Sequence, residues 1–349
     1  MTIRALIELL IPAEGRVVDI ATYRVLVTGT RGKSSLVRLI TAGFRARNIS
    51  CFSRITGVIP TELSPRGLRR IIRSRGGHIK ELQWWLSQVP QEAEAIVAEN
   101  SAVAVEVQPL AARWLKPNLV VWTNLREDHF EAWGPTKEEA RIALFAGVPK
   151  EVPVVLGPGL EEDGALLELL KKNHNDVYFT KEKVLNFEDA NIALAVRSLN
   201  LFGLNVSEDV LDYYLEDDPG RFRILKMNNG VLAFGFSAND LESTVSLFSS
   251  LKWDENNTSV LFNNRRDRPG RLKAFEPWLK NKQWRGVYIC GAHPLRLIKN
   301  TRWVCFKDIN DIVSFVNKRG LVFGCGNIAG LPFQELIAYE EVDHNCDKI

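Results

Sequence analysis

The sequence predicts an α/β protein with a mostly parallel sheet, followed by a second, smaller α/β domain. Three observations lead to this fold class. Short β-branched runs alternate with stretches whose apolar residues recur at helical spacing. The turn-forming stretch 217–220 interrupts the alternation and predicts a domain boundary, with residues 1–218 before it and 219–349 after it. The 349 residues are enough for two domains that each bury a core.

The elements of the first domain are predicted in chain order from periodicity and end signals. Strands are expected at 25–27, 49–55, 119–124, 152–156 and 177–179. Segments 94–99 and 102–107 are both strand-like, and periodicity does not decide which is the core strand. A basic strand pair or turn is expected at 67–75, after a loop at 56–61. Helices are expected at 36–44, 79–89, 109–115, 136–145, 165–172, 188–201 and 207–215.

Two further patterns complete the prediction of elements. Thr136 and Glu139 have the spacing of a capping box, which predicts the start of the helix there. In the second domain, strands are expected near 231–235, 259–262, 286–289, 303–306 and 321–324. Helices are expected near 241–251, 272–280, 309–319 and 334–339.

Composition excludes several classes of protein. The chain has 45 basic and 42 acidic residues, and the net charge of +3 is too small to indicate a nucleic-acid partner. Five scattered cysteines form no C-x-x-C pair, which favours a reducing compartment over a zinc ribbon or a disulfide scaffold. No signal peptide is visible, and no apolar run approaches the ~20 residues of a membrane helix. We therefore expect a cytoplasmic protein.

A glycine-rich loop lies between the first strand and the first helix. Residues 28–35 read Thr-Gly-Thr-Arg-Gly-Lys-Ser-Ser. Gly29 and Gly32 let backbone N–H groups face an anion, Lys33 adds a positive charge, and Ser34 can ligate Mg²⁺. Val27 stands where a full phosphate-binding loop has its first glycine. We interpret the loop as a nucleoside triphosphate site, with an ordinary strand-to-helix turn as the alternative.

Polar residues that could hold the metal of a nucleotide follow other strands. The candidates at strand ends are Glu99, Glu106, Asp128 and His129. Because ligands gather at the carboxyl ends of parallel strands, we expect segments 28–33 and 124–129 to face one crevice.

Two arginine clusters stand out against the balanced composition. The first comprises Arg66, Arg69, Arg70, Arg73 and Arg75. A solvated face and a binding surface are equally compatible with it. The second comprises Arg265, Arg266, Arg268 and Arg271. Asp267, Pro269 and Gly270 are interleaved there, which is typical of a structured loop.

The chain resembles a known family. The loop 28–34 together with Thr123-Asn124 and Asp128-His129 resembles the signature of the Mur-ligase superfamily, the ATP-dependent amide ligases of peptidoglycan and folylpolyglutamate synthesis. The resemblance is closer to the ligase subunits of poly-γ-glutamate synthase (PgsB/CapB), which serve capsule biosynthesis. The matching blocks are 28–34, 96–108, 127–136, 235–244, 263–271 and 323–330.

This resemblance implies a Mur-ligase-like central P-loop ATPase domain, a Rossmann-like C-terminal domain, and ATP and Mg²⁺ as cofactors. It favours Glu99 over Glu106 as the metal carboxylate. The implied metal ligands are Ser34, Glu99 and His129, and the implied catalytic residues are Lys33, Glu99, His129 and Arg221. The implied nucleotide contacts are Gly29, Thr30, Arg31, Gly32, Lys33, Ser34, Ser35, Asn191, Arg221 and Asp240. The implied substrate contacts are Arg265, Asp267, Arg268, Arg271, Gly326 and Asn327.

The implied reaction is ATP-dependent formation of a γ-glutamyl amide bond through an acyl phosphate. The implied partners are glutamate or a γ-glutamyl chain, membrane subunits of a polymer synthase, and further copies of the chain. Peripheral attachment at the inner face of the membrane is a variant of the cytoplasmic expectation. The family's N-terminal membrane helix is missing, and segments 76–80 and 100–101 depart from the family pattern. A kinase or nucleotide hydrolase, and a non-catalytic ATP-binding partner, are the alternative functions.

Overall fold

The chain divides into two compact units, Met1–Asp217 and Asp218–Ile349, each with its own sheet. The computed structural model describes residues 19–57, 60–72, 77–126, 130–134, 136–180, 187–216, 218, 220–238, 240–266, 269–281, 283–294, 296, 298–328, 330–332, 335–336, 338–339 and 341. Within these ranges, no helix is both long enough and apolar enough to cross a membrane.

The first unit contains an eight-stranded sheet. Its strands are β1 (Tyr23–Thr28), β2 (Cys51–Ile55), β3 (Thr61–Ser64), β4 (Gly67–Arg70), β5 (Ala95–Glu99), β6 (Leu119–Trp122), β7 (Val154–Leu156) and β8 (Val177–Phe179). The strand order is β4-β3-β2-β5-β1-β6-β7-β8. The six strands from β2 to β8 in this order are parallel, and β3 and β4 add an antiparallel hairpin at one edge.

Helices cover both faces of this sheet. They are α1 (Lys33–Ala46), α2 (Lys80–Gln88), α3 (Gln108–Leu115), α4 (Phe130–Trp133), α5 (Lys137–Phe145), α6 (Gly164–Lys172), α7 (Phe187–Leu201) and α8 (Glu208–Tyr214). Alternate residues of β1 enter different cores, because Leu26 packs with α2, α3, α5 and α6 while Val25 and Val27 pack with α1 and α7. A sheet buried on both faces explains why its central strands are continuously apolar.

The second unit is built on a six-stranded sheet in the order β13-β12-β11-β14-β10-β9. Its strands are β9 (Arg223–Met227), β10 (Gly230–Phe234), β11 (Thr258–Asn264), β12 (Gly286–Gly291), β13 (Thr301–Trp303) and β14 (Leu321–Cys325). Among the described strand-to-strand pairs, β9–β10 is antiparallel and the others are parallel, and Glu341 adds an isolated antiparallel bridge to Leu225. The helices are α9 (Leu241–Leu251), α10 (Pro269–Asn281) and α11 (Ile309–Arg319). Phe248, Phe275 and Trp278 pack against Phe262 and Phe323 of the sheet.

The α/β class with mostly parallel sheets is confirmed, and several elements differ from expectation. The loop expected at 56–61 ends in the missed strand β3, which is polar and is stabilised by pairing with β2 and β4. Of the two strand-like segments, only 94–99 is a strand, whereas Val105–Val107 is a 3₁₀ turn. Strand β9 was not predicted, and β13 lies earlier than expected. Of the helix expected at 334–339, residues 335–336 are helical and 338–339 are not, while 334 and 337 lie outside the described residues.

Candidate functional site

The glycine-rich loop closes tightly between β1 and α1. Gly29 has φ +120° and Gly32 has φ +78°, both in the region that L side chains avoid. A Cβ on Gly29 would lie 2.2 Å from Thr123 Oγ1, and a Cβ on Gly32 would lie 3.0 Å from Asn191 Oδ1. Neither position therefore tolerates a side chain without movement of a neighbour.

The segment after β6 holds this loop in place. Asn124 Oδ1 accepts hydrogen bonds from Thr30 Oγ1 (2.6 Å) and Arg31 N (3.1 Å), and its amide donates to Arg31 O (3.1 Å). Thr123 Oγ1 donates to the same carbonyl at 2.6 Å. The two segments expected to face one crevice thus contact each other as far as Arg126, whose N–H donates to Thr30 Oγ1. Asp128 and His129 lie outside the described residues.

The head of α1 has the features of an anion site. No residue of its first turn is acidic, and the positive end of the helix dipole there favours a bound anion. Lys33 folds back over the loop, with Nζ donating to Gly29 O (2.6 Å) and Thr30 O (3.3 Å). Asn191, on α7, is buried with its amide against Gly32. The fold therefore places Lys33 and Asn191 on the loop.

A buried carboxylate meets the first turn of α1. Glu99 ends β5 beside Val27, and its Oε2 accepts a hydrogen bond from Ser34 Oγ at 2.9 Å. Its Oε1 accepts hydrogen bonds from both the backbone N–H and the hydroxyl of Thr56, the residue after β2. No pattern in the sequence pointed to Thr56. Glu106 is exposed in a 3₁₀ turn, so its interpretation as a strand-end residue was wrong.

Glu99 and Ser34 fit a magnesium ion. Mg²⁺ binds oxygen at 2.0–2.1 Å in octahedral geometry, so neighbouring ligand oxygens lie about 2.9 Å apart. The separation of Ser34 Oγ and Glu99 Oε2 has this value. In the described part of the chain, no group of three or more His, Cys, Asp and Glu side chains is arranged to hold a metal ion. A serine–carboxylate pair completed by nucleotide oxygens and water is the arrangement that these residues can offer.

Two buried amide side chains, those of Asn100 and Gln108, hold the loop after Glu99 in place. Asn100 Nδ2 donates to Gln108 Oε1 (2.9 Å), and Gln108 Nε2 donates to Ala102 O (2.8 Å). Asn100 Oδ1 accepts from Ala102 N at 3.1 Å. Segment 100–101 is one of the departures from the family pattern, and the sequence did not reveal that Asn100 closes this network.

The second unit contains Arg221 and Asp240, two residues predicted to contact the nucleotide. Arg221 lies at the surface of the unit, and Asp240 lies at the start of a helix. Arg221 forms an ion pair with Glu341, Nη2 to Oε2 at 3.0 Å, and about half of its side chain is exposed. Asp240 caps α9, and its Oδ1 accepts a hydrogen bond from Ser243 N at 2.8 Å.

Several predicted substrate residues meet at the carboxyl ends of β11 and β14. Arg271 Nη1 donates to Gly326 O at 3.1 Å, and Asn263 Nδ2 donates to Asn327 O at 2.6 Å. Gly326 has φ +96°, and a Cβ there would lie 2.7 Å from Asn263 O. Asn263 is a residue that the predicted set lacked. Arg265 directly follows β11, whereas Asp267 and Arg268 lie outside the described residues.

Comparisons with known proteins agree with both units. A model of the Mur ligase middle domain matches residues 27–207, and a model of the poly-γ-glutamate synthase CapB C-terminal domain matches residues 221–342. The chain is similar to PGA synthase CapB of Bacillus subtilis (strain 168), with 25% identity in an alignment of length 361 that covers 90% of this chain and 89% of that protein.

Solved structures show the same fold. E. coli FolC in complex with DHPP and ADP superposes with a TM-score of 0.64 at 15% identity, covering 93% of this chain and 90% of that one. A bifunctional folylpolyglutamate synthase/dihydrofolate synthase with Mn, AMPPNP and L-glutamate bound has a TM-score of 0.62 at 14% identity, covering 92% of each chain. The predicted Mur-ligase-like fold is confirmed.

Proposed function

The chain belongs to the Mur ligase family, and on this premise we propose that it forms γ-glutamyl bonds, with glutamate or a γ-glutamyl chain as substrate. It is an ATP-dependent amide ligase, and its cofactors are ATP and a divalent metal ion. The match to the CapB C-terminal domain and the similarity to PGA synthase CapB support glutamate as the amino acid. We also propose, from the same family resemblance, that membrane subunits of a polymer synthase and further copies of the chain are its partners.

One observation carries the proposal. The glycine-rich loop at the N-terminus of α1 places a site for anions next to a buried carboxylate, because Ser34 in the first turn of α1 donates a hydrogen bond to Glu99. Nucleotide phosphates fit this anion site, and the carboxylate–hydroxyl pair fits their metal ion. We assign residues 29–35 to the binding of the phosphates. Ser34, Glu99 and His129 are assigned to the metal ion, and Asn191 is assigned to the adenine end of the nucleotide.

The reaction then needs positioning and charge compensation. A substrate carboxylate attacks the γ-phosphorus of ATP, ADP leaves, and an acyl phosphate forms. An amine then attacks the acyl carbon, the bond between that carbon and the phosphate oxygen breaks, inorganic phosphate leaves with the electron pair, and the nitrogen loses a proton to solvent. Bound Mg²⁺ would supply positive charge to the phosphates. Lys33 would turn from its loop carbonyls to the phosphate oxygens, which are stronger acceptors because they are charged.

The second unit is assigned to the amino acid and part of the nucleotide. Arg265, Arg268 and Arg271 would hold carboxylates, because guanidinium groups bind them in bidentate pairs. The backbone carbonyl of Gly326 accepts from Arg271 and that of Asn327 accepts from Asn263, and we propose Gly326, Asn327 and Asp267 as further substrate contacts. Arg221 and Asp240 are proposed nucleotide contacts, and Arg221 would exchange Glu341 for a phosphate.

ADP release by the purified protein tests the function. The protein is incubated with ATP, Mg²⁺ and each candidate amino acid in turn, and products are identified by mass. We expect ADP only with glutamate or its oligomers, together with the mass gain of one γ-linked residue. The Lys33→Ala variant should lose this turnover while its thermal transition stays intact. ADP release that is indifferent to every amine would instead indicate a kinase or nucleotide hydrolase.

A further inference from the structure

Three members of the first arginine cluster, Arg66, Arg69 and Arg70, are exposed on the β3–β4 hairpin at an edge of the first unit's sheet. Residues 61–80 carry five arginines and one lysine against Glu62 as the single acidic residue. Strand β4 is terminal in the described sheet, with β3 as its neighbour, and Leu68, Arg69 and Arg70 are exposed. The proposed function so far gives these charges no task.

The sheet topology places the last residue of β4 at the same end of the sheet as Glu99. Because β3 runs antiparallel to β2, it begins where β2 ends, and β4 returns to that end. Arg70 therefore pairs with Thr61, and Ile71 N donates to Pro60 O at 2.8 Å. Three strand spacings separate β4 from β5, which amounts to about 14 Å.

The arginine beside the edge is anchored and still presents its charge. Arg69 Nη2 lies 3.1 Å from Glu62 Oε2, and that oxygen also accepts a hydrogen bond from the buried Trp85 Nε1 at 2.7 Å. The Arg69 side chain remains 66% exposed. A guanidinium has five donors, so the ion pair with Glu62 leaves donors for a second carboxylate.

We propose that Arg69 and Arg70 bind the trailing carboxylates of a γ-glutamyl chain whose reacting end lies at Ser34 and Glu99. This inference rests on the proposed function and names the substrate class as a polyanionic chain. A peptide residue spans about 3.5 Å, and the two additional methylenes of a γ-linkage bring it to about 6 Å. The edge is therefore reached from the third γ-linked residue onward.

The test compares two charge-matched variants. The double substitution R69Q/R70Q removes two cations at the β4 edge. The control K171Q/K172Q removes two exposed cations from α6, next to β8 at the opposite edge of the sheet, where Lys172 has Glu168 as its partner at 3.5 Å. Binding of a fluorescently labelled ten-residue γ-glutamyl oligomer is measured by anisotropy without ATP. We expect R69Q/R70Q to weaken binding about fivefold to tenfold, with a smaller dependence on salt.

Chain length supplies the second measurement. KM for γ-glutamyl oligomers of three or more residues should rise in R69Q/R70Q, whereas KM for glutamate should not change. Equal losses in both variants, or unchanged oligomer binding in R69Q/R70Q, would overturn the proposal. So would arginine-dependent binding to vesicles of an anionic phospholipid without binding of the oligomer. If glutamate and its oligomers elicit no ADP, the proposed function fails, while anisotropy still reports on the arginine edge.

Discussion

At the scale of single residues, Thr56 fixes the orientation of the Glu99 carboxylate. Its N–H and hydroxyl both bind Oε1, so Oε2 faces Ser34. We predict that Thr56→Val lowers affinity for Mn²⁺, used as a probe with AMPPNP, by about 10- to 100-fold, as expected when a partner of a metal ligand is lost. The affinity is measured by electron paramagnetic resonance.

Thr56→Ser is the matched control, because it keeps the hydroxyl and removes only a methyl group. It should bind Mn²⁺ like the unmodified protein. Unchanged affinity in Thr56→Val, with an intact thermal transition, would show that Glu99 needs no help from Thr56.

The conformation of the phosphate loop requires glycine at position 29. We predict that Gly29→Ala lowers the free energy of unfolding by about 2 kcal/mol or more, because it combines unfavourable φ with a clash against Thr123 Oγ1. It should also weaken AMPPNP binding by at least about tenfold. Urea unfolding and calorimetric titration measure the two effects.

Gly159→Ala separates strain from collision. Gly159 has φ +83°, and nothing lies within 4 Å of the position that a Cβ would occupy there. This variant should show only the backbone strain of about 1–2 kcal/mol and keep its nucleotide affinity. Equal behaviour of the two alanine variants would contradict the assignment of the loop.

At the scale of elements, the N-terminus of α6 gives a pH-dependent contribution to stability. Burial raises the pKa of Asp163, but the Leu166 N–H and Arg141, at 3.0 Å, outweigh it, so that the pKa lies below its ordinary value of 3.8. A depressed folded-state pKa stabilises the protein above the unfolded value, and this stability is lost as pH falls through the folded pKa.

We therefore predict that Asp163→Asn flattens the loss of stability that begins as pH approaches the ordinary value of 3.8 and continues as pH falls through the lower folded-state pKa. Asparagine can still cap the helix, so the charge is the main loss. Melting temperature against pH measures the effect. The two proteins should differ near neutral pH and converge in acid. A parallel shift at every pH would show that the cap, rather than the ionised carboxylate, matters.

Elements were predictable where local sequence suffices. The capping box of Thr136 and Glu139 forms as expected, and the bounds of β8, α9 and α11 agree with their predictions. Strand β3 was not predictable, because Thr61-Glu62-Leu63-Ser64 lacks apolar alternation and owes its conformation to pairing with two neighbours. The choice between 94–99 and 102–107 could not be made from periodicity, because hydrogen bonds of Asn100 and Gln108 to Ala102, which the pattern does not reveal, fix the second segment outside the sheet.

The candidate site was predictable to a similar extent. The glycine loop and its proximity to Asn124 followed from strand ends, and the choice of Glu99 followed from family resemblance. Thr56, Asn100 and Asn263 were not, because each acts through a hydrogen bond to a residue outside its own local element, at 43, 8 and 64 positions along the chain. Polar residues of this kind carry no periodic signal, and only the folded chain shows their partners.

At the scale of the whole molecule, buried thiols report on each unit separately. Cys51 lies in a core of the first unit and Cys325 in that of the second. Burial raises the pKa of Cys51 to about 12 and that of Cys325 well above 9.0, so neither is a thiolate in the folded protein. Alkylation in urea, followed by mass spectrometry of each peptide, therefore gives an unfolding midpoint for each unit.

We predict that Mg²⁺-AMPPNP at 100 times its Kd raises both midpoints. Such an excess adds about 2.7 kcal/mol to the folded form, or about 1–2 M urea at ordinary slopes. The shift at Cys51 follows from Lys33 and Ser34, and the shift at Cys325 follows from the nucleotide contacts assigned to Arg221 and Asp240. In R221Q/D240N, where asparagine can still cap α9, only the Cys51 shift should persist in full. If unmodified protein shows a shift at Cys51 alone, the assignments of Arg221 and Asp240 are wrong and the phosphate loop stands. If neither midpoint moves, the first unit does not bind the nucleotide.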